Sequence, residues 1–388
     1  MNILYIHNNE ARDKEIFEAL QKAGAKVAEI DAPAPGESNE AYAPKVLKAM
    51  EQNMTEVCFS LDYYPIVSIA CEAMKRIYIA YTQHPYTPAM YSATVENSCN
   101  LIFVPDYSVY EKFKSAGAGN VFFMPLSVAA EDIATHVSEA DSEEGPDLTI
   151  TQTVKSRSDI KINLLSGESP LKDASKGYLE GCIACRHQIR GLPSMYHYLP
   201  PYIREEIMKL TPPVLDAMST ETAETYFDNR SFNELVTAAD RDIHFSGIIR
   251  NEHFKTVSVY ADGYVAGEEK VSAFCSLKRG PEFAEAVKKS KINLIIPHRN
   301  WISGVSGRTW DTMAAGGYVI QPVMSDLTGL FETPLDDLYT DELSMVSKSI
   351  NRLHHARERV ETVNSLLDEI RDKHTHMHRI AGIFEYLE

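Results

Sequence analysis

The residues best suited to chemistry lie between positions 291 and 331, KINLIIPHRNWISGVSGRTWDTMAAGGYVIQPVMSDLTGLF. This stretch reads as a strand, a loop, a helix, a glycine pair and a second strand. Ser303, Gly304, Ser306 and Gly307 fall in the loop just before the helix. Small residues there let a ligand come close to the backbone. The helix start adds unpaired N–H donors and a partial positive charge, which suits a phosphate. Arg299 and Arg308 flank the loop and could neutralise a diphosphate with paired hydrogen bonds. Asp311, one turn into the helix, could accept hydrogen bonds from sugar hydroxyls. Plainer readings stay open. The glycines could make only a tight turn, Arg308 could pair with Asp311 at i,i+3, and Asp311 could simply answer the helix dipole.

The elements around this loop predict an α/β chain. Residues 1–130 alternate strands (2–6, 27–30, 56–61, 77–82, 100–104, 121–124) with amphipathic helices, as a parallel sheet covered on both faces requires. An acidic stretch over 131–146, poor in large apolar residues, reads as a linker. A second lobe follows over 147–388, with strands expected near 148–151, 243–247, 256–260, 292–297 and 318–322. A helical insertion over 170–240 interrupts it, broken by Pro193, Pro200-Pro201 and Pro212-Pro213. Three helices (341–353, 355–373, 376–387) form the tail. They are expected on the C-terminal lobe, with the last crossing back toward the first lobe.

Composition narrows the partners. Of 388 residues, 38 are Lys or Arg and 55 are Asp or Glu, a formal charge of −17. Such a surface repels phosphate backbones and anionic lipid heads, so nucleic acid is not an expected partner. No apolar run reaches the roughly 20 residues of a membrane helix. Six scattered cysteines without scaffold spacing suit a reduced, cytoplasmic protein. Cys182-x-x-Cys185 lacks a second ligand pair and reads as two small side chains on a helix. No G-x-G-x-x-G follows the first strand, where His7-Asn8-Asn9 stands instead, and no G-x-x-x-x-G-K-[ST] occurs. Dehydrogenase and P-loop chemistry are therefore disfavoured.

The 291–331 segment resembles the CgeB-like (spore maturation protein) glycosyltransferase family. Ile292-Asn293-Leu294, Ser303-Gly304-Val305 with Arg308, Asp311, Ala314-Ala315-Gly316-Gly317, and Asp326-Leu327 with Leu330-Phe331 stand where its motifs stand. His374-Thr375 and His378-Arg379 match its closing signature. A weaker likeness covers the first half, through Phe59-Ser60, Tyr64 to Ser68, Cys71, Asn100 to Phe103 and Asn120-Val121 through Pro125-Leu126. The resemblance implies a GT-B-like fold: two Rossmann-like lobes facing a central cleft. The C-terminal lobe would bind a nucleotide-sugar donor and the N-terminal lobe an acceptor. The acceptor would be a glycan, a protein or a cell- or spore-surface component, as in bacterial surface glycosylation. Transfer would need neither cofactor nor metal, since helix N–H groups and arginines stabilise the leaving diphosphate. Asp336-Asp337 reads as a solvated turn rather than a metal motif. An oligomer is possible.

Three departures from the pattern matter. Where many retaining GT-B enzymes carry two glutamates eight residues apart, this chain has Ser303 and Asp311. Where relatives carry Asp-Ser-Pro, it has Gln83-His84-Pro85. His84 is the candidate general base, the plainer reading being an ordinary loop histidine. Where relatives have Phe-Val-Gly, it has Thr149 to Thr153, with Lys155 and Arg157 as candidate compensating cations. These departures keep a second hypothesis open, a non-catalytic GT-B relative that binds a nucleotide or glycan or assists a glycosylation assembly.

Overall fold

The computed structural model describes residues 1–152, 165, 169–190, 194–210, 212, 218–262 and 266–387. Two parallel sheets organise it. The first contains β1 (Asn2–His7), β2 (Lys26–Asp31), β3 (Val57–Leu61), β4 (Ile77–Tyr81), β5 (Asn100–Val104) and β6 (Val121–Phe123) in the order β2-β1-β3-β4-β5-β6. The second contains β7 (Leu148–Ile150), β8 (Val257–Tyr260), β9 (Val271–Phe274), β10 (Asn293–Leu294) and β11 (Val319–Ile320) in the order β11-β10-β7-β8-β9. The continuous apolar runs of β1, β3 and β4 follow from burial on both faces.

Helices α1 (Asp13–Lys22), α2 (Asn39–Gln52), α3 (Pro65–Met74) and α4 (Tyr107–Ser115) serve the first sheet. Each strand–helix–strand step is a crossover, so the order reverses between β1 and β3. In the second sheet it reverses between β7 and β10. Ligands of open α/β sheets bind at the carboxyl ends of strands flanking such reversals. The segments following β1, β4, β7 and β10 all reach one cleft between the lobes.

The 131–146 stretch is more structured than a linker. It forms α5 (Glu139–Glu143), and Glu143 pairs with the buried Arg359. Between β7 and β8 lies the helical insertion: α6 (Asp173–Gln188), α7 (Pro201–Leu210), α8 (Ala223–Phe227) and α9 (Asn233–Arg250), with a π-turn at Asp228–Phe232. It has its own core around Leu179, Ile203, Phe232 and Leu235. Residues 243–247, expected as a strand, are the last turns of α9. A short apolar run does not by itself distinguish a strand from a buried helix.

The remaining helices are α10 (Pro281–Lys289), α11 (Gly307–Ala314), α12 (Ser325–Leu330), α13 (Glu342–Leu353), α14 (Ala356–Lys373) and α15 (His376–Phe384). Along α14, Val363, Leu366, Leu367 and Ile370 are buried. The expected crossing back is seen: α15 packs on α1, and Val128 bridges to Thr375. One apolar core joins Tyr5, Phe59 and Phe103 of the first lobe to Trp301, Trp310, Ile370, Ile380 and Ile383. The lobes therefore share a core along one edge of the cleft. Asp337 is no solvated turn; it is buried and receives hydrogen bonds from Tyr318 and Arg352. Cys182 and Cys185 sit on α6, the first buried and the second exposed. No helix among the described residues is long and apolar enough to cross a membrane.

Candidate functional site

The interlobe cleft encloses about 950 Å³. From the second lobe, Ser306, Gly307, Arg308 and Asp311 of α11 line it, with Lys278, Arg279, Arg241, Gln152 and the 297–301 loop. From the first lobe come Asn9 to Arg12, Lys14, Glu15, Gln83 and His84. Six Lys or Arg side chains (12, 14, 241, 278, 279, 308) face three carboxylates (10, 15, 311). In a chain of formal charge −17, this cleft is a local exception to the overall sign, and it favours an anionic ligand.

Helix α11 begins where the sequence predicts. Ser306 caps it, its hydroxyl accepting from the Thr309 N–H at 3.3 Å. Arg308 lies 4.7 Å above the Phe283 ring centre and has no ion-pair or hydrogen-bond partner among the described residues. Burial depresses its guanidinium pKa, and nearby Arg12 acts in the same direction while Asp311 opposes. Arg308 is thus a held, unsatisfied cation at a helix start.

Ser303 and Gly304 are elsewhere. They do not line the cleft; they dock on the first lobe. The N–H groups of Ile302, Ser303 and Gly304 all donate to one oxygen of Asp106, at 2.7, 3.1 and 2.9 Å. The Ser303 hydroxyl donates to the other at 2.9 Å. That same carboxylate caps α4 through the Val109 N–H at 3.1 Å. A side chain on Gly304 would put its Cβ 2.7 Å from the Pro105 carbonyl. Glycine is required here, but for contact between lobes rather than for a phosphate.

Arg299 is also displaced from the expected site. It is 4% exposed and its guanidinium grips Asp240 of the insertion, donating at 2.7 Å from Nη2. Asp311 lines the cleft, yet its carboxylate is held by Arg12 and, at 3.3 Å, by Arg279. Arg279 in turn donates to Glu15 at 2.6 Å, and Glu15 meets His376 Nε2 at 3.0 Å. Burial opposes ionisation of Glu15, but hydrogen bonds from His376 and Arg279 outweigh it and hold the carboxyl at about 2. His84 is exposed and lines the cleft from the first lobe. Lys155 and Arg157 lie outside the described residues.

Several site residues carried no sequence motif. Arg12 lies in the loop after β1, reaches across to the Gly307 carbonyl at 3.2 Å, and packs where a Gly307 Cβ would stand. Its φ of 73°, with Asn9 at 57° and Asp62 at 63°, places three non-glycine residues near this rim in the left-handed region. Such strain clusters at functional sites. Asp62 follows β3, accepts from the Gln83 N–H at 3.1 Å, and is pushed toward protonation by burial. Lys278-Arg279 precedes Gly280-Pro281 at the start of α10, a basic pair at a helix start that was visible in the sequence.

Residues 233–385 match the family of glycosyl transferase-like proteins. No curated protein matches the sequence. Among solved structures, HepE from Anabaena in complex with UDP-glucose aligns over 100% of this chain and 99% of its own, at 9% identity and a TM-score of 0.52. Sucrose-phosphate synthase from Thermosynechococcus elongatus aligns over the same shares at 10% identity and 0.51. So does an E. coli trehalose-6-phosphate structure bound with UDP-2-fluoro glucose, at 10% and 0.53. At these identities the likeness speaks for the fold, which is the GT-B arrangement of two Rossmann-like lobes. The chain thus has a GT-B-like fold, and its residues 233–385 are similar to the glycosyl transferase-like family.

Proposed function

We propose that this chain transfers a sugar from a nucleotide-sugar donor held at the start of α11 to a hydroxyl-bearing acceptor entering from the first lobe. The observation that carries this is Arg308, without an ion-pair or hydrogen-bond partner among the described residues, at a capped helix start inside a cationic cleft of an acidic protein. Ser306, Gly307 and Arg308 would meet the diphosphate, with Arg12, Lys278 and Arg279 answering the charge it gains on leaving. The acceptor oxygen would attack the anomeric carbon, the bond to the diphosphate would break, and the acceptor proton would pass to His84. The protein's own cations carry the neutralisation, so turnover is expected to persist in a chelator. The UDP-sugars bound by the structural neighbours make uridine the first base to test, and the CgeB-like motifs suggest a surface glycan or protein as acceptor.

One observation favours a second reading. Ser303 is spent on Asp106, and Asp311 on Arg12 and Arg279. With both held by protein, the chain would bind a nucleotide without turning it over. Titration calorimetry with UDP-, GDP-, dTDP- and CMP-sugars, paired with assays of donor breakdown, separates the two. Binding with breakdown supports the transferase, and binding alone supports the non-catalytic relative. No binding by any of the four removes the donor site from α11.

A further inference from the structure

Behind the 297–301 loop lies a second cavity of about 580 Å³, roofed by the helical insertion. Its volume is within the range of small-molecule sites. Arg299 and Tyr339, 4% and 2% exposed, form part of its wall. Among the described residues, Arg299 Nη1 and the Tyr339 hydroxyl have no hydrogen-bond partner. Buried donors left without acceptors in a native structure call for an explanation. Beside them, Arg190 spends its guanidinium on neutral groups only: the Trp301 carbonyl at 3.3 Å, the Pro297 carbonyl at 3.4 Å and the Met324 sulfur at 3.6 Å. No carboxylate pairs with it among the described residues. Asp240 faces the same wall, but it is already shared by Arg299 and His187, the latter at 2.8 Å. Two guanidinium groups therefore face one carboxylate.

The rim adds Asp341 and Glu342, so the lining as a whole holds three carboxylates against two guanidinium groups, and the positive charge is confined to the inner wall. Asp341 caps α13 through the Ser344 N–H at 2.8 Å and accepts from Thr340 at 3.0 Å. Glu342 folds its carboxyl against Gly247. The outer wall is apolar, with Ile189, Pro322, Val323 and Leu343. Two histidines complete the interior. His244 Nδ1 donates to the Asp240 carbonyl at 2.5 Å, and its ring lies 5.2 Å from that of Tyr339. His187 and His244 each use Nδ1 on Asp240, and neither Nε2 has a hydrogen-bond partner among the described residues.

We infer that this cavity is a second ligand site, for a small organic anion whose carboxylate or phosphate meets Arg190, Arg299 and Tyr339 and whose hydroxylated carbon body lies toward the mouth. The inference does not depend on the cleft reading. The two sites share a wall, since Arg190 holds the backbone of Pro297 and Trp301, and both residues line the cleft on their other side. A ligand here would brace the loop that closes one side of the cleft.

The test is titration calorimetry of the full chain with inorganic phosphate, glucose 1-phosphate and glucuronate, with and without saturating UDP. Glucose 1-phosphate, glucuronate or both are expected to bind with UDP present, and the two arms distinguish the phosphate from the carboxylate head. Tyr339→Phe removes only a hydroxyl that no described residue uses, so the melting temperature should hold while affinity falls about tenfold. Arg190→Gln should weaken binding at least as much, and Arg308→Ala should leave it unchanged. A chain that ignores UDP but binds these anions in a Tyr339-dependent way would support the second site and count against the cleft reading. The inference is overturned if none of the three anions binds, if UDP displaces them, or if both Tyr339→Phe and Arg190→Gln leave their affinity unchanged.

Discussion

Two halves of one loop behave differently. The turn at 302–304 and the helix start at 306–308 are neighbours in sequence, both small, both rich in backbone N–H groups. The first closes on Asp106 and joins the lobes. The second opens on a cationic cleft. Spacing alone makes both look like phosphate cradles. What separates them is a carboxylate nearly two hundred residues away in the chain, which satisfies one half and leaves the other open to the cleft.

The largest expected effect that tests this contrast is on the closed half. Gly304→Val would drive a side chain into the Pro105 carbonyl and the Asp106 backbone. Backbone cannot yield as a flexible side chain can, so stability should drop by about 3 kcal/mol or more. Denaturant unfolding measures it. A stable Gly304→Val chain whose donor affinity alone is lost would return this turn to the ligand.

Asp106→Ala comes next. It removes the acceptor for three N–H groups and a hydroxyl and takes away the α4 cap. A loss of about 2–4 kcal/mol is expected, with nucleotide affinity within about twofold of the parent once the protein is folded. Tighter nucleotide binding by Asp106→Ala would mean that the two halves compete for the same phosphate.

On the open half the pattern should reverse. Arg308→Ala should weaken nucleotide binding roughly 10- to 150-fold, through lost charge-assisted hydrogen bonds. Its stability should change little, because among the described residues the guanidinium has no hydrogen bond or ion pair to lose, only its contact with the Phe283 ring. If Arg308→Ala instead unfolds the chain with its affinity intact, the contrast between the halves fails.

The smallest effect is in acid. Burial, aided by Arg379, holds His374 down at about 4 in the shared core, and burial holds His244 at about 4 in the insertion. Unfolded imidazoles titrate near 6.5, so the unfolded chain binds protons that the folded chain refuses. Their contribution is complete above about pH 6.5 and is lost as pH falls toward 4, at no more than about 1.4 kcal/mol per pH unit for each. Glu15, held at about 2, contributes above its ordinary range and gives way only below it. Stability measured from pH 8 to 4 should therefore begin to fall near 6.5. A flat curve down to pH 5 would remove the histidines from this account.

Much of the fold could be read in the sequence, because strand and helix alternate with clear periodicity. The start of α11 was legible as a loop of small residues running into a helix with Arg308 beside it, while the cap by Ser306 appears only in the structure. What stayed hidden depends on long-range contact. Nothing local marks Asp106 as the partner of 302–304. Arg299 sits where a phosphate-binding arginine should, and only the insertion shows that Asp240 claims it. Arg12 follows the first strand in a loop without a glycine motif, and its role appears only when the second lobe is placed over it. The missed helix at 243–247 is a local error of another kind, an apolar run read at the wrong period.

The shared core also affects how the chain is made. Ile380 and Ile383 of α15 pack among the first lobe's strands, which leave the ribosome hundreds of residues earlier. Domains usually fold as units, the N-terminal one first during synthesis. Here the first lobe lacks part of its interior until residue 384 has been added. The first lobe, made before the second, is then finished only after it, and in the interval its apolar seam stays uncovered.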